Sequence, residues 1–162
     1  MAITNSDADD AIRICDRSIL SGDAQRLIQL LDRELSASYS SENMHTVDFG
    51  PFHGEGGIFV IAYVDESPVG CGALRPINDV DTELKRMFVV KSHRGQGISR
   101  RILNHLENRS REEGFKRILL ETGNQQTAAI RLYESVGYER VDPFGEYVGS
   151  PVSVCFRKNL MS

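Results

Sequence analysis

A predicted strand, a glycine loop and a predicted helix follow one another in the segment Met87-Phe-Val-Val-Lys-Ser-His-Arg-Gly-Gln-Gly-Ile-Ser99. Such a junction presents unpaired backbone N–H groups and the positive end of a helix dipole to an anion. Gly95 and Gly97 allow close backbone approach, and Arg94 adds positive charge. The segment therefore predicts an anion site, with a pyrophosphate as the expected ligand. Taken alone, the two glycines fit a tight turn that caps a helix equally well.

Two common phosphate-binding loops do not fit this segment. The sequence lacks GxxxxGK[ST], so it contains no Walker nucleotide loop. A dinucleotide-binding loop needs a third glycine where Arg100 stands here, and it follows the first strand of its domain.

The segments around the loop alternate between strand and helix patterns. Ser21 is a candidate N-cap for the first predicted helix, and a glycine-rich loop over 40–57 is long enough to be functional. A mixed α/β sheet is therefore expected. Strands are predicted at 11–16, 58–65, 69–76, 82–90, 116–122, 138–141 and 152–158, and helices at 23–39, 98–113 and 126–136.

Composition narrows the class of protein. The 162 residues are 40% hydrophobic and 26% charged, which predicts one globular domain over 1–162, with 1–10 as a candidate flexible segment. The net charge of -4 argues against a nucleic-acid partner, and no apolar run is long enough to span a membrane. The start lacks a signal-peptide pattern, so a cytoplasmic location is expected. The cysteines and histidines lack metal-ligand spacing, so no metal site is predicted.

Three segments resemble the GNAT family of N-acetyltransferases. The loop matches the family pattern Arg/Gln-x-x-Gly-x-Gly/Ala at Arg94 and Gly97, while Ser99 replaces the last small residue. Ala129-Ile-Arg-Leu-Tyr-Glu-Ser-Val-Gly-Tyr138 is similar to the family's A-I-x-L-Y-x-x-x-G-F, and Glu83-Leu-Lys-Arg-Met-Phe-Val89 precedes the loop as in the family. The segments occur in the family's order over 58–141. The end of the chain, Pro151-Val-Ser-Val-Cys-Phe156 included, resembles a bacterial subgroup.

The resemblance implies a GNAT acyl-CoA acyltransferase fold. That fold is a mixed, mostly antiparallel sheet with a splayed strand pair and flanking helices. It also implies acetyl-CoA as co-substrate, with the pantetheine arm between the splayed strands. The expected cofactor-binding residues are Met87, Phe88, Val89, Arg94, Gly95, Gln96, Gly97, Ile98, Ser99, Gln126 and Tyr133.

A base and an acid are expected near the thioester. Glu83 matches the family's carboxylate on its strand, and Glu121 is the reserve base. Strand alternation predicts Glu83, Lys85, Met87 and Val89 on one face. The alternative for Glu83 is an exposed salt bridge with Lys85. Tyr133 matches the tyrosine that the family places near the leaving thiolate; the alternative is a core tyrosine with a tethered hydroxyl.

Two strand arginines are candidate acceptor ligands. Arg75 or Arg86 could bind an acceptor carboxylate, and the alternative for each is an edge position that faces water. Aromatic residues of two loops, Tyr147 among them, favour a small-molecule pocket, although they could equally form a homodimer contact.

The sequence thus predicts an N-acetyltransferase that acts on a primary amine, expected in a small molecule, by direct attack. The alternative is a non-catalytic acyl-CoA-binding module or sensor, and a donor other than acetyl-CoA also stays open.

Overall fold

The computed structural model describes residues 11–39 and 57–160. The predicted 40–57 loop therefore lies outside the described residues except at its last position. Every predicted strand and helix is confirmed, with ends that move by one or two residues. The strands are β1 (Ile12–Asp16), β2 (Ile58–Val64), β3 (Ser67–Pro76), β4 (Asp81–Val89), β5 (Arg117–Gly123), β6 (Glu139–Val141) and β7 (Ser153–Asn159), and the helices are α1 (Gly22–Ser38), α2 (Ile98–Glu112) and α3 (Thr127–Ser135).

The seven strands form one sheet in the order β1-β2-β3-β4-β5-β7-β6. All neighbours are antiparallel except β4 and β5, which α2 connects as a parallel pair. This is the mixed sheet that the sequence pattern predicted, with the mostly antiparallel pairing that the family resemblance implied.

The helices cover both faces of the sheet and define two apolar cores. α1 packs through Leu27, Ile28 and Leu31 on one face, where Phe59 and Phe88 also lie. The opposite face buries α2 and α3 against the side chains of the central strands. We call these the α1 face and the α2–α3 face. The core of the α2–α3 face includes Val60, Leu74, Leu84, Ile102, Leu106, Leu120, Tyr133 and Phe156.

β4 and β5 separate halfway along their length. Their pairing runs from Asp81 opposite Arg117 to Leu84 opposite Leu120 and stops there. β4 continues to Val89, while β5 stays paired with β7 as far as Gly123. The predicted splayed strand pair is therefore confirmed, and the sheet opens next to the glycine loop.

A β-bulge lies in β4 where the two strands part. Cys71 pairs with Phe88 and Ala73 with Lys85, so Gly72 faces two residues, Arg86 and Met87. Arg86 has a φ of 58°, in the left-handed region where such a bulge normally carries glycine.

The bulge inverts the alternation of side chains along β4. Glu83 and Lys85 lie opposite Arg75 and Ala73, on the α1 face. Met87 and Val89 instead pack with the core of the α2–α3 face. The expectation that Glu83, Lys85, Met87 and Val89 share one face was therefore wrong, because one extra residue changes the parity of the strand.

Candidate active site

A cavity of about 170 Å³ occupies the gap between β4 and β5. Residues from both faces of the sheet reach it, because the strands no longer pair there. Six of the predicted site residues line it together with apolar side chains of α1 and α3. The lining residues are Leu31, Leu35, Tyr39, Leu84, Lys85, Arg86, Met87, Glu121, Thr122, Gly123, Gln126, Ala129, Tyr133, Tyr147 and Val152.

The loop before α2 presents a row of free backbone donors. Gly95 and Gly97 adopt φ values of 78° and 79°, and Gly97 is the N-cap of α2. The N–H groups of residues 95–100 donate no hydrogen bond within the described part of the chain. They lie at the N-terminus of a fifteen-residue helix, whose dipole adds partial positive charge. The loop thus has the donors that a diphosphate requires.

Arg94 holds the loop against α1. Its guanidinium forms two hydrogen bonds of 2.8 Å with the carboxylate of Glu34, and its Nε donates to the carbonyl of Val89 at 2.8 Å. All three contacts stay within the protein. The free donors of this loop are therefore its backbone amides and not the Arg94 side chain.

Glu121 lines the cavity from the end of β5, where the strand has left β4. Its carboxylate makes no hydrogen bond or ion pair with any residue that the structure describes. Burial raises its pKa from 4.5 to about 7, against the opposing effect of the Lys85 ammonium. A carboxyl group with this pKa can take up or release a proton at neutral pH.

Tyr133 reaches the same cavity from α3. Its ring packs edge-on against Tyr138 at a centroid distance of 5.6 Å and contacts Phe156 at 6.1 Å. Burial raises the pKa of Tyr133, so its hydroxyl keeps its proton at neutral pH. The hydroxyl bonds to no described residue, so it is not the tethered core hydroxyl of the alternative interpretation.

Glu83 is held in a buried polar network beside the cavity. Its two oxygens accept from Arg75 Nη2 at 2.8 Å and from the Tyr147 hydroxyl at 2.5 Å. Lys85 Nζ donates to the same hydroxyl at 3.0 Å and lies 3.8 Å from the Glu83 carboxylate. Glu83 is only 2% exposed, so the alternative of an exposed salt bridge with Lys85 is wrong. Glu83 does not line the cavity, whereas Lys85 and Tyr147 do.

The two predicted arginines have different surroundings. Arg75 is committed to Glu83 and lies outside the cavity lining. Arg86 lines the cavity, and its side chain is only 6% exposed. Arg75 is on β3, between β2 and β4, and the Arg86 side chain is buried, so the alternative of a water-facing edge position is wrong for each.

Tyr39 closes one side of the cavity from the end of α1. Its hydroxyl accepts from the backbone N–H of Gln125 at 2.8 Å, and its ring lies directly over Gly123. A Cβ on Gly123 would overlap the Tyr39 ring and hydroxyl. Sequence reasoning did not select Tyr39, because nothing local in the sequence links the end of α1 to the end of β5.

The remaining predicted residues lie around the same gap. Met87 and Gln126 line the cavity, and Gln126 is the residue before α3. Phe88 packs on the α1 face and Val89 on the α2–α3 face.

Phe144, an aromatic of the loop before β7, packs edge-on against Tyr147 at a centroid distance of 5.3 Å. Lys85 is a further cavity residue that the sequence suggested only as a partner of Glu83.

The described residues contain neither a candidate membrane span nor a candidate metal cluster. Over 11–39 and 57–160, no helix has the length and apolar character of a membrane span. Within the same ranges, no three His, Cys, Asp or Glu side chains are grouped as metal ligands.

Comparison with known proteins gives consistent matches. The acetyltransferase (GNAT) family model matches residues 24–138. The IAA acetyltransferase of Azospirillum brasilense is 36% identical over 154 residues, which make up 92% of this chain and 98% of that protein. A Klebsiella pneumoniae protein assigned as an acyl-CoA N-acyltransferase has 28% identity and a TM-score of 0.79, over 93% of this chain and 98% of its own. A GNAT family acetyltransferase from Elizabethkingia anophelis with acetyl-CoA bound is similar in fold, with 19% identity and a TM-score of 0.68 over 93% and 99% of the two chains.

Proposed function

The chain belongs to the GNAT family of acetyl-CoA-dependent N-acetyltransferases, and we propose that it transfers the acetyl group directly to the primary amine of a small molecule. The observation that carries this proposal is the opening of the sheet after Leu84 and Leu120. The gap holds a cavity lined by Glu121 and Tyr133, and β4, which forms one side of the gap, leads into the glycine loop with its free amides.

The donor fits the α2–α3 side of the gap. Backbone amides of 95–100 would bind the diphosphate at the N-terminus of α2. The unpaired edge of β4 after Leu84 offers backbone groups to the pantetheine amides, as a neighbouring strand would. Met87 and Gln126 line this part of the cavity.

We assign the general base to Glu121 in preference to Glu83. The amine must lose a proton as its nitrogen bonds to the thioester carbonyl carbon, and Glu121 would accept that proton directly or through water. Its pKa of about 7 leaves a substantial fraction ionised at neutral pH. Glu83 already accepts hydrogen bonds from Arg75 and Tyr147, so its role is to fix the Tyr147 hydroxyl beside the cavity.

Tyr133 supplies the second proton. When the C–S bond breaks, the leaving thiolate takes a proton from the Tyr133 hydroxyl, which is protonated because burial raises its pKa. Tyr133 lines the cavity, and its hydroxyl has no competing partner within the described residues. Side chains of one cavity therefore accept the proton that the amine loses and donate the proton that the thiolate takes.

The shape of the cavity favours a small acceptor. Its α1 side is closed by Leu31, Leu35 and Tyr39, and Tyr147 adds a further aromatic wall. A volume of about 170 Å³ suits a small amine better than a folded protein surface. IAA, which the name of the A. brasilense relative gives, belongs in the acceptor screen.

Acetyl-CoA titration of Gly97→Glu tests the donor site. The new carboxylate would lie among the free amides and repel the diphosphate, so we expect the dissociation constant to rise by roughly a hundredfold or more. Isothermal titration calorimetry measures this directly. Gly114→Glu is the matched control, because Gly114 follows the other end of α2 with a φ of 87° and equally open space. Equal loss of binding in both variants would show that backbone strain, and not the anion site, is responsible.

Turnover separates an enzyme from a binding module. Wild type should release CoA thiol with at least one amine of a screening panel, and Glu121→Gln should lose most of this rate. A protein that binds acetyl-CoA with Gly97-dependent affinity but releases no thiol with any amine would favour the non-catalytic alternative.

A further inference from the structure

We infer that the acceptor carries a carboxylate in addition to its amine, and that Arg86 binds this carboxylate. The inference rests on the proposed function and names the class of acceptor. Its starting point is a strained, buried arginine that the transfer chemistry does not use.

Arg86 occupies a position that favours glycine. A φ of 58° is unfavourable for a residue with a Cβ, and Arg86 holds it at the first position of the β4 bulge. The bulge turns the Arg86 side chain to the α1 face, where it meets Asp32 of α1. Backbone strain of this kind accumulates at binding sites, where a side chain must be held in one place.

The Arg86 guanidinium forms a hydrogen bond through Nη1, whereas its Nε–Nη2 edge forms none with the described residues. Nη1 donates to the Asp32 carboxylate at 2.5 Å, which balances the charge. Nε is buried and has no partner among residues 11–39 and 57–160, and Nη2 makes no hydrogen bond with a described residue. Nε and Nη2 form the side-on edge of the fork, which matches the two oxygens of a carboxylate. A buried donor without a partner is costly, and a ligand carboxylate would remove that cost.

The position of Arg86 suits the acceptor and not the donor. The glycine loop leads into α2 on the α2–α3 face, whereas Arg86 and Asp32 lie on the α1 face. Arg86 nevertheless lines the same cavity as Glu121. One cavity therefore offers a cation for the carboxylate and a base for the amine of the same molecule.

Among the described residues, the other two cationic side chains near the cavity already face carboxylates of the protein. Arg75 donates to Glu83 at 2.8 Å, lies 3.7 Å from Glu146 and stays outside the cavity lining. Lys85 donates to the Tyr147 hydroxyl and lies between the carboxylates of Glu83 and Glu146. Arg86 is thus the group that separates acceptors with a carboxylate from those without one.

The test compares matched acceptors in a thiol-release assay with saturating acetyl-CoA. Phenylalanine is paired with phenethylamine and with phenylalaninamide, and 4-aminobutyrate is paired with butylamine. We expect wild type to favour the carboxylate member of at least one pair by tenfold or more in kcat/KM. Arg86→Met should raise KM for that member by a similar factor, so that its advantage over the neutral counterpart in kcat/KM disappears.

Further variants separate binding from folding. Arg86→Gly retains a residue that accepts the left-handed conformation, so it should fold and show the same loss of preference. Arg117→Met is the control, because Arg117 forms an equivalent Arg–Asp pair with Asp81 outside the cavity. It should keep the wild-type preference for the carboxylate.

The outcomes distinguish this inference from the proposed function. Turnover of the neutral amines without any gain from the carboxylate, or a preference that survives in Arg86→Gly, would overturn the inference and leave amine acetylation intact. No turnover of any panel member by a protein that binds acetyl-CoA would overturn both.

Discussion

Two glutamates near the cavity show how local partners set the chemistry of one residue type. Glu83 is surrounded by donors, with Arg75 and Tyr147 on its two oxygens. Glu121 has no such donors within the described residues, and burial raises its pKa to about 7. A carboxylate whose oxygens already accept hydrogen bonds can hold neighbouring side chains in place. A carboxylate without such bonds and with a raised pKa suits proton transfer.

The raised pKa of Glu121 predicts a pH-dependent stability difference between wild type and Glu121→Gln. Below pH 4.5 the carboxyl is protonated in both the folded and unfolded states, so its ionisation contributes nothing. As pH rises from 4.5 to about 7, the unfolded state ionises first, and wild type loses stability relative to the neutral variant. Above pH 7 the difference should level off at a value on the order of 3 kcal/mol. Urea unfolding at pH 4.5, 6 and 8 measures it.

A matched carboxylate provides the control for this prediction. Glu134 lies half-exposed on α3, and Glu134→Gln should change the free energy of unfolding by less than about 0.5 kcal/mol at every pH. A difference between wild type and Glu121→Gln that is the same at pH 4.5 and pH 8 would contradict the shifted pKa.

The kcat/KM of wild type should also rise with pH through about 7, as the proposed base ionises.

At the level of elements, β4 marks the limit of prediction from sequence. Its hydrophobic residues and its position before the glycine loop were enough to predict the strand. The bulge was not predictable, because the position that usually carries glycine is Arg86 here. A rule of strict alternation therefore placed Met87 and Val89 on the wrong face relative to Glu83.

The contact between α1 and β5 gives an element-scale prediction. Gly123→Ala would add a Cβ that overlaps the Tyr39 ring, so Tyr39 must leave its place and lose its hydrogen bond from Gln125. We expect a loss of roughly 1 to 3 kcal/mol in the free energy of unfolding and a higher KM for the acceptor. Thermal or urea unfolding and steady-state kinetics measure these two effects.

A double-variant comparison isolates the steric cause. Tyr39→Ala removes the ring, so adding Gly123→Ala to it should cost much less than Gly123→Ala in wild type. Additive effects would mean that Gly123 acts through its own backbone and not through Tyr39. Tyr39→Phe removes only the hydroxyl and should cost about 1 kcal/mol.

For the molecule as a whole, the two faces of the sheet separate the proposed substrates. The donor would enter from the α2–α3 face and the acceptor from the α1 face, and they would meet where β4 and β5 part. Both substrates can then be bound at the same time. This arrangement favours direct transfer over an acetylated enzyme intermediate.

Initial rates should therefore give intersecting lines when both substrates are varied. The buried cysteines do not offer an attractive acyl carrier: burial raises the pKa of Cys71 to about 12, and it also raises that of Cys155. Parallel lines, or acetylated protein detected by mass spectrometry after incubation with acetyl-CoA alone, would contradict direct transfer. Cys155→Ser should keep the intersecting pattern.

The sequence predicted the features that depend on neighbouring residues and missed those that depend on distant ones. The order of strands and helices, the glycine loop and the candidate tyrosine of α3 were all accessible from local patterns. The Tyr147 contact with Glu83 joins residues 64 positions apart, and the Tyr39 contact with Gln125 joins residues 86 apart. Such contacts depend on the tertiary fold, which no local spacing encodes.

The bulge at Arg86 has a consequence for how this protein can change over evolutionary time. Gly72 faces two residues of β4, so an in-frame deletion of the Arg86 codon would restore one-to-one pairing without moving any other side chain to the opposite face. Such a deletion would relieve backbone strain and remove the inferred carboxylate ligand in a single genetic event. Acceptor preference would then be a trait that descendants of this gene could lose, or regain by insertion, while the donor site and the core are inherited unchanged.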